Sequence, residues 1–257
     1  MGHPALDLNN RTAVVIGGTS GIGLTLAKGL AQAGANVVPT GRRDELVQAA
    51  ADEICKLHRK TLQLTCDVTK RSSLESLQDA VCAEFGHVDI LVNCAGVTKR
   101  TPTLTLPEEE WNHIIETNLN GTLRACQVFG GKMIERQYGR IINIASLSSF
   151  VSLYEVAAYS ASKSAVASLT KSLAVEWARY GVCVNAIAPG VFRTDLNAQL
   201  LNGPRGQEFL IRTPMKRFGK LEELVGAAVF LASDAASFVN GHLLAVDGGF
   251  LASGVNQ

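Results

Sequence analysis

A run rich in β-branched residues, Thr12 to Ile16, opens directly into the turn Gly17-Gly18-Thr19-Ser20-Gly21-Ile22-Gly23. Leu24 to Ala33 follows, with apolar residues recurring at helical spacing and Gly34 where a helix C-terminal glycine belongs. This strand, turn and helix order repeats and constrains the chain more than any other feature. Strands are expected at Asn36 to Thr40, Thr61 to Cys66, Val88 to Asn93, Arg140 to Ala145, Val182 to Ala188 and Leu243 to Val246. Helices are expected at about Asp44 to His58, Lys70 to Phe85, Pro107 to Gln137, Ala158 to Tyr180 and Leu221 to Ser233. Seven strands alternating with helices predict an α/β fold: a doubly wound parallel sheet covered by helices on both faces. No composition shift breaks the rhythm, so residues 1–257 read as one domain. The irregular stretch Gly190 to Lys220, rich in Gly, Pro and Asn, reads as a substrate lid, with a disordered surface insertion as the alternative.

Composition narrows the function classes. Apolar residues make up 47% and charged residues 18%, which supports a large two-faced core and excludes a disordered chain. Lys and Arg number 24 against 23 Asp and Glu, so no basic field exists to attract nucleic acid. The longest apolar-plus-Gly run, Leu224 to Ala232, is nine residues, half the roughly 18 that a membrane helix needs. Six scattered cysteines without a C-x-x-C pair, and no secretory pattern at Met1 to Arg11, predict a cytoplasmic protein with reduced thiols. The five histidines show no metal-ligand spacing, and no metal is expected.

A glycine turn between a first strand and helix lets backbone N–H groups and the helix N-terminus approach a pyrophosphate. Gly17, Gly21 and Gly23 are spaced G-x-x-x-G-x-G, which a tight structural turn also explains; their place at the end of the first strand favours dinucleotide binding. About 20 residues on, where an acidic side chain holds the ribose hydroxyls of NAD, stand Gly41 and Arg42. A guanidinium there suits a 2′-phosphate, so NADP(H) is expected over NAD(H), unless Arg42 and Arg43 form only a solvated turn. Asp67-Val68, past the third strand, falls at the same sheet edge, where Asp67 either meets the adenine amino group or caps a helix.

Tyr159 and Lys163 stand four apart in a helical segment and so share a face. An ammonium beside a phenol lowers its pKa and makes it an acid/base near neutral pH. Ser146, thirteen residues before Tyr159 and just past a strand, reaches the same edge.

Over nearly its whole length the sequence resembles the short-chain dehydrogenases/reductases, which implies a single-domain Rossmann fold. The glycine loop resembles the family's T-G-x-x-x-G-x-G, with Ile16 in place of Thr. Asn93-Cys94-Ala95-Gly96 resembles its N-N-A-G, with Cys94 in place of the second Asn. Tyr159-Ser-Ala-Ser-Lys163 resembles Y-x-x-x-K, and Pro189-Gly190 the P-G after the sixth strand. The resemblance implies Tyr159 as general acid/base, Lys163 lowering its pKa and holding the nicotinamide ribose, and Ser146 bonding the substrate oxygen. It also implies that Asn118 holds a proton-relay water, against the plainer reading of a polar residue packed in mid-helix. Val191 and Thr194 would meet the nicotinamide carboxamide, and Asn93, Ala95, Gly96, Pro189 and Gly190 would complete the cofactor site begun by Gly17, Thr19, Ser20, Gly21, Ile22, Gly23, Arg42, Asp67 and Val68.

The implied reaction interconverts a secondary alcohol and a ketone. Lys99-Arg100-Thr101-Pro102, Glu110-Trp111 and the tail Ala245 to Ala252 resemble the gluconate 5-dehydrogenase and deoxygluconate dehydrogenase branch. Lys99, Arg100 and Arg193 are candidate anchors for a sugar-acid carboxylate. The alternatives are a 3-oxoacyl-[acyl-carrier-protein] reductase, with Phe192, Leu196 and Leu200 lining an apolar channel, and a non-catalytic dinucleotide-binding protein. A homotetramer is expected from the resemblance, aided by apolar residues Ala161, Ala165, Ala167, Leu169, Leu173, Val175 and Trp177 beyond the needs of one sheet face.

Overall fold

The computed structural model describes residues 3–194 and 197–254; Leu196, the side chain of Leu200 and the extreme ends of the 1–257 span lie outside the described residues. Six strands form one parallel sheet: β1 (Thr12–Ile16), β2 (Asn36–Thr40), β3 (Ile90–Asn93), β4 (Gly139–Ile144), β5 (Val182–Pro189) and β6 (Leu243–Val246). Their order is β2-β1-β3-β4-β5-β6. The chain winds outward from β1 to β2, returns to β3 on the other side of β1 and continues in that direction. The order therefore reverses between β1 and β3, and the crevice beyond their carboxyl ends is where such sheets take ligands.

The sheet has six strands among the described residues, where seven were expected. The stretch Thr61 to Cys66 runs beside β2 but forms no continuous ladder with it. It is tied at its ends, by Val37 N–H to Lys60 O (3.2 Å) and Cys66 N–H to Gly41 O (2.9 Å), and by the Thr40 hydroxyl to Leu64 O (2.6 Å).

Alternation along the strands sends side chains to both faces. Ala13 and Val15 of β1 join Leu26 and Leu30 of α1 (Gly21–Gln32), Ile54 of α2 (Asp44–Lys56), and Ile142 and Ile187 in one core. Val14 and Ile16 join Leu74, Leu77 and Val81 of α3 (Arg71–Phe85), with Leu91, Ile141 and Val184, in the other. The helix expected from Pro107 to Gln137 is α4 (Glu108–Ile115) and α5 (Gly121–Glu135), joined through a π-helical turn at Glu116–Asn120. Phe129 and Met133 of α5 are buried in the second core.

The helix α6 (Ala157–Trp177) carries the Tyr159 and Lys163 pair. Its apolar surplus is smaller than expected: Ala167 and Leu173 are buried within the chain and Trp177 packs against the second core, leaving Val175 as the exposed large apolar side chain of the seven. Among its described residues the lid stretch forms α7 (Ala198–Leu201) and α8 (Pro204–Arg212), and its ends meet through Gly219 N–H to Val191 O (2.9 Å). The helix α9 (Val225–Ala232) then covers the first core before β6.

Candidate active site

The glycine turn closes on itself at the switch point. Gly17 adopts φ +77°, and a Cβ there would lie 2.5 Å from the Ala95 nitrogen, so the turn passes the segment after β3 at backbone contact. Gly17 and Gly18 N–H groups bond Thr40 O at 2.9 and 3.1 Å, fixing the turn to the end of β2. Ser20, at the N-cap of α1, makes no side-chain cap bond, so the first-turn N–H groups of Ile22 and Gly23 are available to a ligand. A Cβ on Gly41 would come within 3.0 Å of Thr19 Oγ1, so an acidic residue at position 41 would crowd the turn. Arg42 is exposed beside it.

Asp67 is held in its own turn: Oδ1 accepts from the Thr69 N–H (3.0 Å) and hydroxyl (2.7 Å) ahead of α3. Burial raises its pKa, but the Thr69 bonds and the charges of Lys70 and Arg42 outweigh this and hold the carboxyl below its ordinary value. Asp67 thus closes a turn ahead of α3 and does not cap it, the N-cap being Lys70 without a side-chain cap bond, and the Arg42 charge is close enough to act on the carboxylate.

Asn93 faces inward. Its Nδ2 donates to Asn143 Oδ1 (2.9 Å) and to Cys126 Sγ (3.3 Å), and Asn143 Nδ2 donates to Thr170 Oγ1 (3.0 Å), a buried brace tying β3 to β4 and α6. Asn93 Oδ1 and Thr117 Oγ1 are buried with no hydrogen-bond partner. Both residues border a narrow cleft with Ile16, Val68, Ala95 and Gly121. The uncapped helix start, the glycine cradle and these unmatched acceptors fit a dinucleotide.

Ser146, Tyr159 and Lys163 converge where β4 meets α6. Ser146 follows β4, and its Oγ accepts from Ser148 N–H at 3.1 Å. The Ser146 hydroxyl is close enough to the Tyr159 phenol to pull its pKa down. Lys163 is buried, donates from Nζ to Ile144 O at 2.7 Å and lies 5.8 Å from the centroid of the Tyr159 ring. Burial pulls the Lys163 ammonium down to about 8. Burial pushes the Tyr159 phenol above its ordinary value, with Ser146 pulling the other way and the Cys94 thiol adding to the rise. The expected lowering of the Tyr159 pKa by Lys163 is therefore corrected for this state: the ammonium is directed at the Ile144 carbonyl, and desolvation dominates.

Asn118 lies in the π turn, fully buried. It accepts from Val97 N–H (2.8 Å) and donates to Val97 O (2.9 Å) and the Ser162 hydroxyl (3.0 Å). This side chain clamps the segment after β3 against α6. A Cβ on Gly96 would lie 3.4 Å from Asn118 Oδ1 and 3.6 Å from Lys163 Nζ, so that segment runs along the floor of the site.

At the lid's root Gly190 N–H bonds Val246 O (2.8 Å), continuing the Pro189 register of β5 with β6. Thr194 Cγ2 lies 3.8 Å from where a Gly21 Cβ would be, which brings the lid to the glycine turn. A cavity of about 330 Å³ opens nearby between Val191, Phe192, Met215 and Asp247, without touching Ser146 or Tyr159. The three basic anchors have partners: Lys99 on Glu110 (2.6 Å), Arg100 on Glu155 (2.5 Å) and Arg193 on Asn202 (2.6 Å). Glu155, at φ +61°, went unnoticed in the sequence because nothing local marks a glutamate in the left-handed region. Among the described residues no three His, Cys, Asp or Glu side chains cluster as a metal site, and no helix is long and apolar enough to cross a membrane.

A parallel sheet with a glycine turn at its switch point and a Ser, Tyr and Lys group beside it describes the class of nicotinamide dinucleotide-dependent oxidoreductases. A family model described as enoyl-(acyl carrier protein) reductase matches residues 17–251. The chain is 41% identical to gluconate 5-dehydrogenase of Gluconobacter oxydans (strain 621H), over 98% of this chain and 100% of that protein. It is 42% identical to 2-dehydro-3-deoxy-D-gluconate 5-dehydrogenase of Bacillus subtilis (strain 168), over 97% and 98%. Among solved structures, a gluconate 5-dehydrogenase from Burkholderia cenocepacia J2315 in complex with NADP and tartrate superposes with TM-score 0.94 at 39% identity, covering 97% of this chain and 98% of that one. The chain belongs to the short-chain dehydrogenase/reductase family, and it is an oxidoreductase acting on CH–OH groups.

Proposed function

We propose that the protein is an NADP(H)-dependent oxidoreductase interconverting a sugar acid or polyol with its ketone, in the manner of a gluconate 5-dehydrogenase. The observation that carries this reading is full-length identity near 40% to relatives named for gluconate and its deoxy keto derivatives. The NADP preference is supported by Gly41 and the exposed Arg42, and by the NADP named with the Burkholderia structure. Residues 1–257 serve as one catalytic domain with Gly190 to Lys220 as lid, assembled as a homotetramer in the cytoplasm.

The cofactor would lie along Gly17, Thr19, Ser20, Gly21, Ile22 and Gly23, with Arg42 at the 2′-phosphate and Asp67 and Val68 toward the adenine. Ala95, Gly96, Pro189, Gly190, Val191 and Thr194 would border its nicotinamide half. Asn93 supports that half through the brace to Asn143. When bound, the dinucleotide supplies the hydride to the ketone carbon or takes it from the alcohol.

The chain's residues manage the oxygen and its proton. Tyr159 gives its phenolic proton to the carbonyl oxygen as negative charge develops there, and Ser146 donates a hydrogen bond to the same oxygen. Burial keeps the phenol protonated at neutral pH, the form that ketone reduction requires. Lys163 holds the nicotinamide ribose, and Asn118, by clamping Val97 to α6, positions the floor of the site and the route of proton resupply.

The second reading is a 3-oxoacyl-[acyl-carrier-protein] reductase; the matching family model is described for enoyl reduction on the same kind of carrier thioester. Comparing kcat/KM for 5-ketogluconate and an acetoacetyl thioester, each with NADPH and NADH, separates the two. Higher efficiency with the keto sugar acid and NADPH is expected, and a clear thioester preference would replace the sugar-acid reading.

A further inference from the structure

The helix that carries Tyr159 begins without a capping side chain: Val156, at its N-cap, makes no side-chain bond to the first turn. Tyr159 is the third residue of α6, in the turn that such a start leaves least restrained. Two hydroxyls tie the start of α6 to the segment after Ser146, Ser149 Oγ donating to Lys163 O (2.8 Å) and Ser164 Oγ to Ser148 O (3.2 Å). A third, that of Ser162, reaches in another direction, to Asn118.

The Ser162 hydroxyl has one proton and gives it to Tyr159 O at 2.7 Å. A serine bonding back along its own helix is common and by itself only structural. Here the same oxygen also accepts Asn118 Nδ2 at 3.0 Å, from the π turn 44 positions away. The Asn118 amide cannot be reversed, because Oδ1 accepts the Val97 N–H (2.8 Å) and Nδ2 donates to Val97 O (2.9 Å). A flipped amide would set oxygen against oxygen and N–H against N–H. Polarity is therefore fixed along the whole line, from Val97 through Asn118 and Ser162 to the backbone of Tyr159. Both side chains belong to residues that are 0% exposed, where an unmatched donor is costly.

We propose that Ser162 is a positioning residue: its hydroxyl fastens the uncapped turn bearing Tyr159 to Asn118 and, through it, to the floor of the site. The inference rests on the reading of Tyr159 as proton donor and adds what holds that donor at its place. Proton transfer needs donor and acceptor within hydrogen-bond reach. A small displacement of this turn therefore lowers turnover while every group that holds substrate or cofactor is still present.

The test measures kcat and KM for 5-ketogluconate, and NADPH binding, in wild type, Ser162→Ala and Ser162→Thr, with urea unfolding to show that each is folded. Ser162→Ala is expected to lower kcat about 10-fold, the scale of one buried donor left unmatched, with KM and the NADPH Kd within about twofold. Ser162→Thr keeps a hydroxyl that can bond back along the helix, and should return kcat to within about threefold of wild type. Adding Ser162→Ala to Asn118→Ala should cost less than about twofold more, because the bond is already gone. Ser162→Cys, a weak donor and acceptor, carries the same comparison if Ser162→Ala does not fold. An unchanged kcat in Ser162→Ala, an equal loss in Ser162→Thr, a full further loss on Asn118→Ala, or KM and NADPH binding impaired as much as kcat overturns the role of Ser162 and leaves the functional reading standing. A wild type that reduces another ketone but no keto sugar acid overturns the sugar-acid reading alone, and the Ser162 comparison is then made on that ketone. Reduction of no ketone overturns both.

Discussion

Replacing Lys163 with methionine removes a charge from the floor of the site while keeping most of the length of the side chain. Lys163 is 5% exposed, and burial lowers its pKa from 10.5 to about 8. At about 1.4 kcal/mol per unit, this corresponds to roughly 3 kcal/mol by which the ammonium disfavours the folded state below pH 8. Between about pH 8 and 10.5 the unfolded chain still holds the lysine proton and the folded chain has released it. Stability therefore rises with pH across that window and loses the penalty as the unfolded lysine also deprotonates. In Lys163→Met the Ile144 carbonyl is left without its donor, at about 1 to 3 kcal/mol, but that term does not vary with pH. Urea unfolding of both proteins at pH 7, 8, 9 and 10 isolates the effect, because all other titrations occur in both. Wild type should gain on Lys163→Met by about 2 kcal/mol or more over that range, nearly all of it above pH 8. Tyr159, its phenol pushed above its ordinary value by burial, is present in both proteins. A difference that stays flat with pH would refute the burial argument and return Lys163 to an ordinary ammonium.

Arg42→Ala should weaken NADPH binding about 10-fold, the low end for a charged hydrogen bond because the side chain is exposed, and leave NADH nearly unchanged. Equal losses in fluorescence titrations with the two cofactors would refute a 2′-phosphate contact. Light scattering at micromolar concentration should give four times the 27.3 kDa chain mass, and a monomer would refute the tetramer.

The layered architecture is legible because its cause is local. Each buried strand is a short apolar run bounded by turn residues, and Val14 against Val15 is enough to assign two faces. The Thr61 to Cys66 stretch misled for the same reason: its alternating composition suits a strand, but whether a ladder closes depends on how the chain leaves α2. The π turn at Glu116–Asn120 is equally hidden, since helical periodicity continues on both sides and the partner of its Asn118, Val97, stands 21 positions away. At the site, glycine spacing and the Tyr159 and Lys163 interval carry their own geometry. Asn93 does not: its turn into the core depends on Asn143, fifty positions away.

The central claim, that Tyr159 supplies the proton for reduction of a keto sugar acid by NADPH, is tested most directly by the rate of NADPH oxidation with 5-ketogluconate in wild type and Tyr159→Phe. The ring packs as before without its hydroxyl, so folding and NADPH binding should persist, while turnover should fall about 100-fold or more, as general acid contributions require. A Phe variant that keeps more than about a tenth of the wild-type rate would contradict the account.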